Sequence, residues 1–386
     1  MGVKRLGLFC VYLCKSVSKI QYKNGYNMPI FKNIIANSRG IALLITISVT
    51  TILVAAALEY NRRARFQVVS TSAVRDRLTL SYVASSGIHV AMALLIKDKG
   101  ESQFDSLQED WANPEKIDEI LQEIPFDNGK LAVKITDELG KIQVNALARF
   151  PDSRQFNESQ VMVWERMLNI IGNEDDLQDD SSPTAIVNSV KDWLDSGDDE
   201  ATTGLSGAES SYYQELDPPY ASRNGPMADL NELLLIKGIT PQLYYGTKDA
   251  PGLANYMTIH GLAVGAGTNF NWPGRININT ADMPVLAALL GTENQDLAQA
   301  FYDFRQEIAA EKDGHDFSSP KWYKSIAGFG DVTIDSRLIS VSSDVFRIQS
   351  TASLAGIQSS VITVVKRVQN PESGKWSCKV LTWETQ

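Results

Sequence analysis

Residues 41–58 read IALLITISVTTILVAAAL, with no charged side chain among them. About 18 to 20 apolar residues suffice to cross the hydrocarbon core of a bilayer as a helix. One such run near the start of a 386-residue chain sets a single membrane span and puts everything after Leu58 on one side. No small-x-small cleavage site follows it, so it reads as a retained anchor rather than a secretory signal. Glu59, Arg62, Arg63 and Arg65 come next, and then the apolar pattern resumes. From Phe66 to Lys97, residues Val68, Val69, Val74, Leu78, Val83, Ile88, Met92 and Leu95 recur at helical spacing, and no proline interrupts residues 41–100. The pattern predicts one helix of roughly 50 residues, ~75 Å long at 1.5 Å per residue, half in lipid and half outside.

Charge divides at the same place. Residues 1–40 carry seven basic and no acidic side chains, and the remainder holds 29 basic against 46 acidic, a net −17. A basic start, an apolar run and an acidic body are the order of a single-pass bacterial inner-membrane protein with its body in the periplasm. An acidic body argues against a nucleic-acid partner. Of the three cysteines, Cys10 and Cys14 lie in the basic start, so its removal leaves only Cys378 and no internal disulfide or cysteine-built zinc site.

Residues 131–145, LAVKITDELGKIQVN, alternate apolar and polar on either side of Asp137-Glu138-Leu139-Gly140 and predict a hairpin. Further strands are expected at 338–341, 345–351, 361–368 and 377–382. Between these groups, helices are expected at 160–171, 186–194 (with Asn188 and Asp192 on its polar side), 229–237, 283–290 and 295–309. The fold class is therefore α+β: a long N-terminal helix packed on a small antiparallel sheet, with a large mostly α-helical domain inserted in sequence.

Residues 192–217 contain Asp192, Asp195, Asp198, Asp199, Glu200, Glu209, Glu215 and Asp217, with no lysine or arginine among them. Such a cluster is either a solvated loop or an oxygen-ligand cation site, and the absence of His and Cys suits Ca²⁺. Gly197, Gly204 and Gly207 allow the chain to turn around an ion. The run Glu174-Asp175-Asp176 reads as solvated loop.

Four segments in this order resemble general secretion pathway protein K, a minor pseudopilin family of type II secretion systems. The first is Ser38-Arg39-Gly40-Ile41, a basic leader ending in Gly just before the apolar helix. Prepilins usually carry Glu at the fifth mature position; Ile45 stands there, a departure this family shares. The second is Asp137 to Asn145. The third runs from Asp192-Trp193-Leu194-Asp195 through Gly207-Ala208-Glu209, Tyr212-Tyr213 and Pro218-Pro219-Tyr220. It continues through Asn224-Gly225-Pro226 to Ile236-Lys237-Gly238-Ile239-Thr240. The fourth is Ile276-Asn277-Ile278-Asn279-Thr280-Ala281. The similarity covers most of residues 40–370.

The resemblance implies a pilin-like architecture. It divides the chain into a leader (1–40, or from Met28), a membrane part (41–58), and a periplasmic helix with first strands (59–150). An inserted α-helical domain (151–320) and C-terminal strands (321–386) follow. It implies cleavage by prepilin peptidase between Gly40 and Ile41, and structural Ca²⁺ bound by the acidic loop. Asp195, Asp198 and Glu209 are the expected ligands, with Asp199 and Glu200 as alternates; Gly197 departs from the family's Asp-x-Asp spacing. The implied role is non-enzymatic. It is a place at the pseudopilus tip with I- and J-type minor pseudopilins, starting assembly on the major pseudopilin and the secretion machinery and aiding export of folded proteins across the outer membrane. A subunit at the very end has no neighbour above it whose N-terminal ammonium needs Glu, which agrees with Ile45.

Two rival classes are weaker. For an enzyme, His89, His260 and His315 are the only histidines, and no GxSxG, HExxH or phosphate-loop pattern occurs. For a DNA-binding membrane protein of a pilus or competence system, Leu235–Thr240 and Ile276–Ala281 resemble helix-hairpin-helix turns. Residues 227–311, however, hold four basic against nine acidic residues, which repels phosphate.

Overall fold

The computed structural model describes residues 38–123, 126, 129–151, 153–172, 181–197, 202–265, 269–307 and 315–386. Residues up to Val74 form one compact unit and Arg75–Gln386 a second.

The described part of the first unit is the opening of helix α1, which runs Ser38–Glu101 over 64 residues. It exceeds the expected length, and the charged stretch after Leu58 sustains it between its two apolar parts. Glu59 pairs with Arg62 and Arg63 at 3.0 and 2.9 Å, the i,i+3 and i,i+4 spacings that support a helix. In the apolar run, the hydroxyls of Thr46, Thr50 and Thr51 donate to carbonyls three or four residues back, which satisfies them without water. Leu43, Leu44, Ile52 and Leu53 are exposed. Among the described residues α1 is the one helix long and apolar enough to cross a membrane.

In the second unit α1 is half-buried. Leu80, Ala84, Ile88, Ala91 and Leu95 lie three or four residues apart and are fully buried. They share a core with Trp111, Ile135, Phe346, Ile348, Val361 and Val365, and with Ile117 and Leu121 of the short helix α2 (Pro114–Leu121). The sheet beneath them has four antiparallel strands in the order β1 (Lys130–Asp137), β2 (Val345–Leu354), β3 (Ile357–Gln369) and β4 (Trp376–Thr385). Gly87 sets how closely α1 approaches it. A Cβ there would lie 2.3 Å from Ser350 Oγ and 2.9 Å from Val133 Cγ2. Gly87→Val is therefore expected to destabilise the body by about 1–3 kcal/mol through overpacking, against the helix-propensity gain. A fall in the urea midpoint at unchanged slope checks it.

The expected hairpin across residues 131–145 does not form. β1 pairs along its whole length with β2, from Lys130 opposite Ser353 to Asp137 opposite Phe346. Ile142–Gln143 instead pairs in parallel with Met257–Thr258. The expected strand at 338–341 likewise stays out of the sheet, and Ile339–Ser340 pairs in parallel with Ile276–Asn277. The cause is burial: Ile142, Val144, Leu147, Leu338 and Ile339 all belong to a second core, that of the helical part.

That second core is built on α3 (Glu158–Ile171), α4 (Pro183–Leu194), the short helices α5 (Ser210–Gln214) and α6 (Pro241–Tyr245), α7 (Met283–Leu290) and α8 (Ala298–Gln306). Ser182 caps α4 by accepting from Ala185 N, with Pro183 at the first helical position. The segment expected as a helix at 229–237 is a 3₁₀ turn, Leu230–Leu235, opened by an Asp229/Glu232 capping box.

Candidate functional site

The C-terminal turn of α4 carries Asp192 and ends at Asp195, and Glu209 precedes α5. Carboxylate oxygens of these three residues lie within 4.8 Å of one another, and all three side chains are buried. Asp192 accepts from Thr203 N at 3.1 Å. Asp195 accepts from Gly197 N at 3.1 Å and from Lys191 Nζ at 2.6 Å. Gly207 is required where it stands, since a Cβ there would lie 2.1 Å from Asp192 Oδ2. Burial pushes the Asp192 carboxyl above its ordinary range, with the Thr203 hydrogen bonds pulling it back. Lys191 supplies counter-charge to Asp195 in this group.

Asp195 and Glu209 thus come together as expected. Asp198, Asp199 and Glu200 lie outside the described residues. Asp192 was expected on the polar side of its helix, yet it is fully buried and faces the other two acids. An oxygen-ligand ion of Ca²⁺ type fits this donor set in charge and ligand chemistry, and Gly207 provides the backbone clearance beside it.

A second acidic group, Asp98, Asp105 and Glu109, has a different character. Arg367 of β3 reaches into it, pairing with Asp98 at 3.0 Å and also with Asp105, and donating to Leu95 O at 3.2 Å. Its guanidinium also lies 4.6 Å from the Phe346 ring. Here the counter-charge is a side chain. Burial, and then the charges of Glu109 and Asp105, outweigh Arg367 and push Asp98 up to about 7.

The sequence segments singled out above interlock. Asp137 is buried and accepts from Asn277 Nδ2 at 2.9 Å, Thr280 Oγ1 at 2.7 Å and Ser343 Oγ at 2.5 Å. Glu138 accepts from Arg347 at 2.6 Å and Thr258 Oγ1 at 2.7 Å. Burial alone would raise Glu138, but Lys141 and Arg347 hold it down at about 2. A Cβ on Gly140 would lie 2.7 Å from Thr280 Oγ1. Asn145 accepts from Met227 N at 2.7 Å and donates to Met227 O at 3.0 Å, holding the chain just after Asn224-Gly225-Pro226. Trp193, Tyr213 and Tyr220 pack together, Trp193 edge-on to Tyr213 with centroids 5.2 Å apart and Tyr213 stacked on Tyr220 at 5.3 Å. Asn277 and Asn279 are fully buried and bonded within the protein, so this turn has no exposed amide for a phosphate.

Comparison with known proteins falls on these same segments. The family model "Type II secretion system (T2SS), protein K" matches residues 140–248. That stretch holds the acidic triad, Asn145 and the Trp193 aromatic cluster. Over that stretch the chain is similar to type II secretion system protein K. Type II secretion system protein K of Aeromonas hydrophila is 24% identical over 213 residues, 53% of this chain and 60% of that one. The Klebsiella pneumoniae protein K is 26% identical over 208 residues, with 53% and 60% covered. That of Pseudomonas aeruginosa is 27% identical over 265 residues, with 64% and 66% covered. The matched part thus spans about 60% of the length of the first of these protein K relatives. A chain in the crystal structure of the GspK-GspI-GspJ complex from enterotoxigenic Escherichia coli has the same fold. Its TM-score is 0.58 at 20% identity, covering 82% of this chain and 99% of that one.

Proposed function

We infer that the chain is a minor pseudopilin at the tip of the type II secretion pseudopilus. One observation carries the reading: a single helix that is bare and apolar at its start and packs on a four-stranded sheet at its end. A subunit so built is held in the inner membrane by the first part of α1 and keeps its body in the periplasm. It starts assembly with I- and J-type minor pseudopilins ahead of the major pseudopilin, and so aids export of folded proteins across the outer membrane through the secretion machinery. The protein K in the solved relative is in complex with GspI and GspJ, which supports sister subunits as the partners here. Prepilin peptidase cleaves between Gly40 and Ile41, where the basic leader meets the apolar run. Structural Ca²⁺ sits among Asp192, Asp195 and Glu209. Asp198, Asp199 and Glu200 are further ligand candidates from the same loop. The ion supplies counter-charge that orders this loop.

Co-expression with I- and J-type pseudopilins and active prepilin peptidase tests the role. The expected outcome is a co-purifying complex in which this chain begins at Ile41. A chain that never associates with them, or that retains residues upstream of Ile41, overturns the reading.

A further inference from the structure

The residues just beyond the span make an unusual group. Arg62, Arg63 and Arg65 follow Leu58 by four, five and seven positions. At 1.5 Å per residue they stand roughly 6–10 Å past the end of the apolar run, the depth of lipid headgroups. At about 100° per residue they share one face of α1 about 160° wide. Glu59 lies on that face and pairs with both Arg62 and Arg63, so the group keeps a net charge of +2. Arg65 makes no ion pair among the described residues and is exposed. Arg62, Arg63 and Phe66 line an open groove of about 450 Å³. Tyr60, 77% exposed, adds an aromatic ring of the kind enriched where a helix leaves the bilayer.

Orientation does not account for these arginines. Basic residues favour the cytoplasmic side, so three of them on the exported side weaken the asymmetry that sets topology. Folding of the second unit does not account for them either, since they belong to the first. Cations at headgroup depth are complementary to anionic lipid phosphates, and arginine presents a planar fork that binds phosphate bidentately.

We propose that Arg62, Arg63 and Arg65 form a binding face for anionic phospholipid headgroups where α1 leaves the bilayer on its exported side. The face holds the anchor at a fixed depth and rotation. Its contacts must break whenever the subunit is drawn out of the membrane.

The full-length chain is reconstituted in nanodiscs of phosphatidylcholine containing a minor fraction of phosphatidylglycerol. Spin-labelled lipids then measure how strongly each headgroup is retained beside the protein. The wild type is expected to retain phosphatidylglycerol over phosphatidylcholine, with the preference falling as salt is raised. Each arginine is worth roughly a fivefold preference at low salt. Replacing all three (R62Q, R63Q and R65Q together) removes the preference, and lysine at the same positions restores part of it. R75Q with R77Q, further along the same helix, leaves it unchanged. Equal retention of the two lipids by wild type overturns the proposal, as does a triple glutamine variant that behaves like wild type or an equal loss in R75Q/R77Q. A triple variant that keeps its lipid preference but no longer co-purifies with sister pseudopilins assigns the arginines to a protein partner instead. Every variant is first shown to remain in the nanodisc. A wild type that does not insert overturns the span itself, an outcome distinct from loss of lipid preference in an inserted chain.

Discussion

In calcium, the soluble body from about Arg65 onward is expected to melt about 5 °C higher than in chelator. A ligand that binds only the folded state stabilises it by about 2.7 kcal/mol at a hundredfold excess over Kd, and each kcal/mol moves the midpoint of a large domain by roughly 2 °C. The motive is the enclosure of Asp192, Asp195 and Glu209 within 4.8 Å of one another. Asp195→Ala combined with Glu209→Ala erases most of the difference. Asp175→Ala combined with Asp176→Ala, outside the described residues, leaves it intact. Asp192→Asn is the sharper variant. It keeps an acceptor for Thr203 N but removes a charge that burial disfavours. The calcium gain falls, while the chelator midpoint holds or rises. Magnesium substitutes poorly, because a carboxylate loop does not meet its strict octahedron. Identical melting curves in calcium and chelator refute the site.

Arg367→Ala is expected to lower stability by about 3–5 kcal/mol, the usual cost of breaking a buried pair and stranding its partner. Arg367 is 2% exposed, and its removal strands Asp98 and leaves Asp105 with only the more distant Lys99, 3.8 Å away. The pH dependence gives the mechanism away. Asp98 titrates at about 7 in the folded state, against an ordinary value of 3.8. A group raised by folding contributes stability below its unfolded value and loses it as pH rises through the folded one. The wild type therefore loses this contribution between about pH 4 and 7. The variant, in which the same acids are more strongly disfavoured when ionised, is closest to wild type near pH 5 and furthest from it at pH 8. Urea denaturation across that range measures both curves. A penalty that is flat with pH assigns the effect to lost packing on Phe346 rather than to charge.

The parts legible in the sequence were those whose signal is local. The α1 stripe shows in spacing alone, because its buried apolar side chains Leu80, Ala84, Ile88, Ala91 and Leu95 lie three or four positions apart. The partner of β1 does not, since alternation in 131–135 says which face is inward but not which strand lies alongside. In Ile276-Asn277-Ile278-Asn279 alternation carries no inside-outside information, since both sets are buried, the isoleucines in the core and the asparagines in hydrogen bonds to other segments. Asp192 shows the limit of helical periodicity. Its polar neighbours on the wheel put it outward, but the loop at 202–207 folds back over that face and closes it. Arg367 left a readable trace. Period two places it on the face of Val361 and Val365, an inward position that a charge occupies only with partners, which come from the end of α1 and the loop after it.

The pairing of β1 with β2 also governs when the body can fold. Between Asp137 and Val345 lie 207 residues. A ribosome adding about 5–20 residues per second needs roughly 10–40 s to supply them. Throughout that interval Leu80, Ile88 and Leu95 have no sheet to cover them, and β1 has no neighbouring strand. The helical part has most of its own core within the intervening stretch and is free to form first, bringing the ends of the sheet together and shortening the loop to be closed. The order of emergence thus lets the helical part set before the sheet can close. For those seconds the buried stripe of α1 stays uncovered, which leaves it open to proteases and to wrong partners.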